Sequence, residues 1–323
     1  MIPIDRVLER LDMVKSAGAQ AWTARCPAHD DGSPSLSVGI GDEGRVLLHC
    51  HAGCTFAEVL SALGLEVGDA FARDGGLSAE QRLRMAEIKI EQIERKQKEH
   101  EERLSAIEKL QRSQVHLLYH RALTADKRSL WYNEGIYDEA IDKFLLGWAS
   151  RCPTASFSQS VTMPVFDKNN DLVNIRHRLL TPGDNGKYRP QAGNLGTCLY
   201  NAPILNSSHD RLLILEGEKK TIVFDQFGYA AVGIMGKSVW QREWSGWMEA
   251  GRIIVCLDPD AHDKAVRLAG ILCQAGHADV RVASFPVKPD DLIVRVGAGG
   301  RDIDAILAQA RPVHQTEKKG RKS

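Results

Sequence analysis

The sequence predicts a multidomain protein of mixed α+β and α/β class, and three observations lead to this prediction. Two short-spaced pairs of Cys and His residues lie near the start of the chain. A long run of charged and amide side chains without Gly or Pro follows them. Continuous apolar runs separated by helix-like segments then occupy residues 211–260, which is typical of buried parallel strands. We therefore expect a metal-stabilised module, a helical linker and an α/β unit, in that order.

The composition is that of a soluble globular protein. The chain has 323 residues, enough for two or three domains, and is 43% hydrophobic and 26% charged. No apolar run approaches the roughly 20 residues needed to cross a bilayer, and the first residues lack the apolar core of a signal peptide. We therefore expect a cytoplasmic protein without a membrane partner. Because the formal net charge is zero, nucleic acid would be bound by local basic patches.

Residues 1–77 contain a pattern typical of a structural zinc site. Two residues separate the first Cys from its His, three separate the later cysteines, and twenty lie between the pairs. The candidate ligands are Cys26, His29, Cys50 and Cys54. Each pair spans a tight turn, and four protein ligands would close the site, which favours structural Zn²⁺. His49 or His51 could replace a neighbouring ligand, and buried cysteines with surface histidines are the other interpretation.

Residues 78–125 are predicted to form one long helix or a helical hairpin. Eight positions fall on a heptad seam, which is polar at its centre. These positions are Leu83, Ala86, Ile90, Ile93, Gln97, His100, Leu104 and Ile107. One interpretation is a solvated spacer between modules, and the other is a coil for dimerisation or partner binding. The polar centre argues against a strong coiled coil.

Residues 126–210 are predicted to contain a short helix and then a β-hairpin that turns at Asn169-Asn170-Asp171. A loop rich in Gly and Pro follows the hairpin. Strand alternation places Arg176 and Arg178 on the same face. Basic side chains there would suit a nucleic-acid backbone or triphosphates, and a solvated strand face is the alternative.

Carboxylates follow two of the apolar runs in residues 211–310. Glu216 ends the first run, and Asp258 and Asp260 follow Ile253–Leu257. Because the carboxyl ends of parallel strands meet at one edge, where ligands bind, we expect these three side chains to lie close together. Such hard oxygen ligands suit Mg²⁺. The alternative is that these acids cap loops.

Two further stretches have a less specific pattern. Gly236-Lys237-Ser238 resembles the end of a phosphate-binding Walker loop, but the Gly that such a loop needs five residues earlier is Ala231. We therefore predict no ATPase loop, and Lys237 is a candidate phosphate contact. The last residues, 311–323, are polar and basic and are expected to be disordered.

Several of these stretches resemble the DnaG-type primases, in the divergent form found on phages and mobile elements. C-P-A-H-D-D followed by H-C-H-A-G-C resembles the zinc ribbon at the front of that family. I-D-K-F-L-L-G-W, the hairpin, K-Y-R-P and T-C-L-Y-N resemble the first part of its polymerase core. Strand, Glu-Gly, helix, strand, helix, strand, Asp-x-Asp, helix and strand over residues 211–310 are similar to the Toprim fold.

The resemblance implies a domain order for most of the chain. We expect a zinc-ribbon DNA-binding domain at 1–77, a charged helical linker at 78–125 and the N-terminal part of the primase core at 126–210. A Toprim domain would follow at 211–310. The charged middle is the part that the resemblance does not cover.

The resemblance also implies a function, namely synthesis of short RNA primers on single-stranded DNA from nucleoside triphosphates. Glu216, Asp258 and Asp260 would be catalytic and, with Asp290 of the K-P-D-D motif, would bind Mg²⁺ or Mn²⁺. The residues that would hold template and nucleotide are Arg176, Arg178, Lys187 and Arg189, and Lys237, noted above from its own stretch, is a further candidate. Since the chain has no helicase motor, a separate replicative helicase is the expected partner.

Two alternatives stay open at this stage. A Toprim-family nuclease would use the same acidic set, and a non-catalytic zinc-dependent DNA-binding adaptor would need only the zinc module. A topoisomerase is disfavoured because it needs a nucleophilic Tyr, usually in a large domain after this fold, and Tyr229 is the last Tyr in the chain. The intact set of acidic residues argues against the adaptor.

Overall fold

The chain folds as two units, Met1–Glu101 and Glu102–Ser323, in a computed structural model. The structure describes residues 3–18, 20–41, 45–70, 79–155, 158–183, 186–235 and 240–313. The mixed α+β architecture predicted from the sequence is confirmed. None of the helices in the described ranges has both the length and the apolar character needed to span a bilayer.

The first unit contains a four-stranded antiparallel meander with the strand order β1-β2-β3-β4. The strands are β1 (Lys15–Gly18), β2 (Ala21–Ala24), β3 (Leu36–Ile40) and β4 (Val46–Cys50). Two short helices, α1 (Pro3–Leu8) and α2 (Phe56–Ala62), pack on its small apolar core. A capping box starts α2, because Thr55 Oγ1 accepts from the Glu58 N–H and Glu58 Oε2 accepts from the Thr55 N–H.

The predicted long helix is present as α3 (Ala79–Ser113), a single helix of 35 residues. It ends where Gln114 adopts a left-handed conformation with φ of 47°, and α4 (Val115–Arg121) follows. The second unit begins within α3, at Glu102, and not after the C-terminal end of that helix. The reason is burial, since Leu110 and Leu123 belong to the apolar cores of the second unit.

A four-stranded antiparallel sheet follows α5 (Ala125–Tyr132) and α6 (Asp138–Lys143). Its strands, in the order β5-β6-β7-β8, are β5 (Gly147–Ala149), β6 (Ser160–Phe166), β7 (Leu172–Gly183) and β8 (Gly186–Pro190). The predicted hairpin is formed by β6 and β7. Asp167 Oδ1 stabilises its turn by accepting hydrogen bonds from the N–H groups of Asn169 and Asp171, each 2.9 Å long.

A six-stranded sheet with the order β14-β13-β12-β10-β11-β9 carries the acidic residues. The strands are β9 (Leu199–Tyr200), β10 (His209–Glu216), β11 (Ala231–Ile234), β12 (Ala250–Cys256), β13 (Val280–Val282) and β14 (Arg311–Pro312). Its four central strands are parallel and its two edge strands are antiparallel. Of the predicted tail, 311–323, the first two residues form β14, which pairs with β13, and residues 314–323 lie outside the described ranges.

Helices connect and flank the parallel strands. They are α7 (Glu218–Gln226), α8 (Arg242–Ser245), α9 (His262–Gln274), α10 (Pro289–Val294) and α11 (Gly300–Ala308). All of β11 is buried, as are Leu212–Leu215 of β10 and Ile253–Cys256 of β12, which is expected for the centre of a parallel sheet covered on both faces. The first turn of α7 comes directly after Glu216, and α10 begins with the K-P-D-D motif. The sheet therefore brings Glu216 and the α7 N-terminus to the same edge.

Gly233 in β11 allows α7 to pack closely on the sheet. A Cβ atom at this position would lie 2.3 Å from Thr221 Oγ1 and 2.8 Å from the Gly217 carbonyl oxygen. We expect Gly233→Ala to lower the free energy of unfolding by about 2 kcal/mol, because this core cannot expand without moving backbone. Gly270→Ala in α9 is the control, since no atom lies within 4 Å of the added carbon. Thermal and urea unfolding of both variants would check this, and equal stabilities would contradict it.

Candidate metal centre and acidic cleft

The four predicted zinc ligands converge in the first unit. The ligand atoms of Cys26, His29, Cys50 and Cys54 all lie within 4.8 Å of one another. No other group of three or more His, Cys, Asp or Glu side chains arranged to hold a metal ion occurs in the described residues. Gly53, with φ of 100°, makes the turn that brings Cys54 back toward Cys50, and only Gly adopts this conformation readily.

The two ring nitrogens of His29 face different groups. Its Nδ1 atom lies 3.3 Å from Cys54 Sγ and 3.8 Å from Cys50 Sγ, so Nδ1 is the atom that faces the thiols. Its Nε2 atom lies 3.8 Å from Asp31 Oδ1 and 3.5 Å from Ser35 Oγ. Ser35 Oγ is thus within hydrogen-bond distance behind this ligand and the Asp31 carboxylate lies beyond it, a position in which polar groups usually orient a zinc-binding His.

Asp31 also holds the first ligand turn. Its Oδ2 atom accepts hydrogen bonds from the Cys26 N–H at 2.7 Å and from Ser35 Oγ at 2.7 Å. These hydrogen bonds, the one from the Cys26 N–H first, lower the pKa of the Asp31 carboxyl to about 2. Asp31 therefore stays ionised and connects Cys26 to His29.

The Cys and His donor set fits tetrahedral Zn²⁺ in a closed, structural site. Burial raises the pKa of the Cys50 thiol, but hydrogen bonds from backbone N–H groups, those of Cys54 and Ala52 first, outweigh it and lower that pKa to about 6. A thiol that ionises readily is a better zinc ligand. His51 is exposed, and its Nε2 atom lies 2.9 Å from Ser37 Oγ. Neither His49 nor His51 belongs to the cluster.

A cleft of about 350 Å³ opens beside the end of β10 in the second unit. Its acidic lining residues are Glu216, Glu218, Asp290 and Asp291. Its basic lining residues include Arg176, Arg178, Lys187, Lys219, Lys220 and Lys288. Residues from the hairpin sheet, from the α7 N-terminus and from α10 therefore surround one cavity, which we call the acidic cleft.

Asp258 and Asp290 approach each other around one lysine. Lys220 Nζ lies 3.0 Å from Asp258 Oδ1 and 4.0 Å from Asp290 Oδ1. The side chains of Asp258 and Asp290 are only 11% and 4% exposed. Asp258 itself lines a neighbouring cavity of about 290 Å³ at the ends of β12 and β13. Asp260 is exposed in the turn Pro259–Ala261 and does not line the acidic cleft.

Two carboxylate oxygens in this region have unused acceptor capacity. Asp258 Oδ1 and Asp290 Oδ1 are buried and accept no hydrogen bond from the described residues. The 3.0 Å contact of Lys220 with Asp258 is thus an ion pair without hydrogen-bond geometry. Buried carboxylate oxygens of this kind fit a hard divalent cation in donor chemistry. Lys220 lies among these oxygens and competes for the same negative charge.

A second lysine, Lys219, forms ion pairs with Asp290 and with Glu134, a residue that the sequence analysis did not identify. Lys219 Nζ lies 2.6 Å from Asp290 Oδ2 and 2.7 Å from Glu134 Oε2. Arg178 also forms an ion pair with Glu134. Burial raises the pKa of the Glu134 carboxyl, but hydrogen bonds from Lys219 and Arg178 outweigh it and lower that pKa to about 2. No local motif marks Glu134, because its partners lie 44 and 85 residues away in the chain.

The predicted basic residues have different environments. Strand register places Arg176 and Arg178 on one face, and Arg176 Nε donates to Glu218 Oε1 at 3.0 Å. Arg189 pairs across the strands with His177, which places it on the opposite face, and it does not line the acidic cleft. Lys187 is exposed and lines the cleft. Lys237 lies outside the described residues.

Solved structures with a similar fold include primase domains. The DnaG primase catalytic domain bound to ssDNA matches with a TM-score of 0.54 and 19% identity, over 66% of this chain and 83% of that chain. A DNA primase domain from Pseudomonas aeruginosa gives a TM-score of 0.53 and 21% identity, over 64% and 80% of the two chains. The Aquifex aeolicus primase, with zinc-binding and RNA polymerase domains, gives 0.51 and 15%, over 96% and 83%.

These likenesses establish the fold of the chain. A scan against protein-family models and a search of curated proteins found no match. At identities of 15–21% the structural comparison shows a DnaG-type primase fold and leaves activity to be argued from the site. The match to the Aquifex protein extends over the Cys and His module as well as the second unit.

The contacts of Asp31 generate a prediction for the metal centre. We expect Asp31→Ala to weaken Zn²⁺ affinity by about 10- to 100-fold, because it removes the group behind His29 and the acceptor of the Cys26 N–H. Competition with a chromophoric chelator measures this affinity. Asp30→Ala is the matched control, since Asp30 is an exposed neighbour. Equal zinc affinity in the two variants would contradict a positioning role for Asp31.

Proposed function

We propose that the chain is a DNA primase that synthesises short RNA primers on single-stranded DNA. The observation that carries this proposal is the acidic cleft, which combines carboxylates from a parallel-sheet edge with basic residues of a β-hairpin. Nucleotidyl transfer needs both kinds of group, since it joins an attacking hydroxyl to a highly charged triphosphate. The fold similarity to primase catalytic domains supports the same assignment.

We assign the six-stranded sheet to the Toprim type, and its carboxylates would hold Mg²⁺ or Mn²⁺. Asp258 and Asp290 are the central ligands because their buried oxygens have unused acceptor capacity. Glu216, at the end of β10, and Asp260, exposed in the turn after β12, are the other two predicted ligands. In the described structure they do not lie in one cluster with Asp258 and Asp290, so a bound cation would have to draw them together. Bound divalent ions would supply charge stabilisation at the transferring phosphate and activation of the attacking oxygen.

The protein's own side chains position the substrates. Lys187 and Lys288 are exposed at the cleft and are suited to phosphate oxygens of the triphosphate or the template. Arg176 and Arg178 carry counter-charges from Glu218 and Glu134, so they mainly fix the hairpin against the sheet. Tyr188 lines the same cleft between these groups and offers an aromatic face for a base.

The chemical step follows from this arrangement. A 3′-hydroxyl attacks the α-phosphate of the incoming nucleotide, the new P–O bond forms, and pyrophosphate leaves. Glu216 lines the cleft at the strand end and accepts the hydroxyl proton. The zinc module would bind the template strand, with the exposed Arg25 and Arg45 as phosphate contacts. A replicative helicase would supply the single-stranded template.

A priming assay tests the proposed activity. Purified protein with single-stranded DNA, Mn²⁺ or Mg²⁺ and labelled ribonucleotides should yield short RNA products. We expect Glu216→Gln and Asp258→Asn each to reduce product formation about 100-fold or more. Asp263→Asn, an exposed acid on α9, is the control and should retain activity. Template degradation without synthesis would indicate a nuclease, and zinc-dependent DNA binding without any reaction would indicate an adaptor.

Metal binding by the acidic cleft is tested separately from activity. We expect the double variant Asp258→Asn and Asp290→Asn to lose Mn²⁺ binding, measured by electron paramagnetic resonance titration. Lys220→Met should instead raise Mn²⁺ affinity about tenfold, because it removes a competing positive charge 3.0 Å from Asp258 Oδ1. Lys264→Met on the exposed face of α9 is the control. Unchanged Mn²⁺ affinity in the aspartate variant would place the metal elsewhere.

A further inference from the structure

The outer surface of α3 carries a row of exposed apolar side chains. Leu83, Ile90, Ile93 and Leu104 are 62%, 54%, 48% and 52% exposed. Their spacings of 7, 3 and 11 residues place them at positions a, a, d and a of one heptad frame that begins at Leu83. Isolated exposed apolar residues are common, but a row that keeps the heptad frame is typical of a helix that packs on another helix.

The row is uncovered over a defined length of α3. Beyond Leu104, the side chains of Ala106, Ile107 and Leu110 pack within the chain, on a cluster that includes Leu172 and Ile175. Residues 83–104 form about three heptads, which span roughly 33 Å at 1.5 Å per residue. We call this stretch the α3 seam. It is long enough for a short two-stranded coiled coil.

The charges that flank the α3 seam are sorted by sign. The three e positions, just after the d residues, are Glu87, Glu94 and Glu101. The g positions within the seam that precede an a residue include Lys89 and Lys96. In a parallel in-register pair, each g residue faces the e residue five positions further along the other helix. Lys89 would therefore face Glu94 of a second copy, and Lys96 would face Glu101.

The opposite orientation would set like charges against each other. In an antiparallel pair, g faces g and e faces e, so lysines would meet lysines and glutamates would meet glutamates. Within the described part of the chain, no ion pair engages Lys89, Glu94 or Lys96. At positions f and c of the same helix, away from the seam, Arg95 and Glu99 by contrast form an ion pair at 3.6 Å. The seam charges are thus available to a partner helix.

We propose that α3 forms a parallel, in-register coiled coil with α3 of a second copy of this chain. Charge complementarity selects a second copy of this chain as the partner. The g and e side chains of two α3 helices face each other with opposite charges only when the helices are parallel. Gln97 at an a position would meet Gln97 of the second copy only in this register, which specifies alignment at a cost in stability. Three features weaken the pairing, namely the small d residue Ala86, the polar a residue Gln97 and the polar d residue His100. With only three heptads, the dimer therefore dissociates on dilution.

Sedimentation velocity of the full-length protein over a range of concentrations tests this proposal. The wild type should show a monomer–dimer equilibrium. The double reversal Lys89→Glu and Lys96→Glu should weaken the dimer about tenfold or more, because four attractive pairs become repulsive. Adding Glu94→Lys and Glu101→Lys to these changes restores opposite charges across the seam. This fourfold variant has the wild-type net charge and should dimerise like the wild type.

A matched control separates seam charge from total charge. Lys98→Glu with Lys109→Glu makes the same change in net charge at exposed positions away from the seam, and it should leave the dimer unchanged. Far-UV circular dichroism and melting curves confirm that each variant is folded. A wild type that stays monomeric at its highest soluble concentration would overturn the proposal. A double reversal that leaves dimerisation unchanged would also overturn it, because an antiparallel pair predicts that result.

Discussion

The architecture around the acidic cleft depends on the neutralisation of carboxylates that lie almost buried at the ends of parallel strands. Asp258 and Asp290 are 11% and 4% exposed, and an unpaired charge at either site would cost several kcal/mol, of the order of 3–5. Lys219 and Lys220 supply the compensating charge from the first turn of α7. The helix that follows Glu216 therefore also holds together the acidic groups contributed by two later segments of the chain.

The same charges join the antiparallel hairpin sheet to the parallel sheet. Glu134 forms ion pairs with Lys219 of α7 and with Arg178 of β7. Glu218 of α7 forms an ion pair with Arg176 of β7. These buried or half-buried pairs fix the hairpin face that forms one wall of the cleft. Positive charge that is already paired contributes shape, whereas the exposed Lys187 remains suited to a phosphate-bearing ligand. The exposed Lys288 also lines the cleft, and the ion pair that it forms is a long one, with Nζ 3.9 Å from Asp258 Oδ2. In the proposed primase, the cations that this network pairs therefore have a structural role, and the exposed cations at the cleft have a substrate-binding role.

The first unit has a different source of stability. Its apolar core is small, and the Cys and His cluster joins the strand ends around it. A small module of this kind usually needs a metal or disulfides to remain folded. Asp31 lies behind the cluster, where its carboxylate accepts a hydrogen bond from the Cys26 N–H and lies 3.8 Å from His29 Nε2. The α3 helix that follows is solvated along its first heptads, and the proposed pairing with a second copy would give these heptads the burial that the chain itself does not provide.

The sequence by itself determined the features that depend on local spacing. The Cys and His turns, the long helix, the hairpin and the strand ends at Glu216 and Asp258 could all be predicted, because each follows from periodicity or from a short motif. Only the tertiary structure decided which groups meet across long separations. It placed Glu134 beside Lys219, and it placed Lys220 between Asp258 and Asp290. It also placed Arg189 on the other strand face and left Asp260 exposed. Long-range ion pairs leave no periodic trace in a sequence, since their partners are selected by packing and by the need to neutralise buried charge.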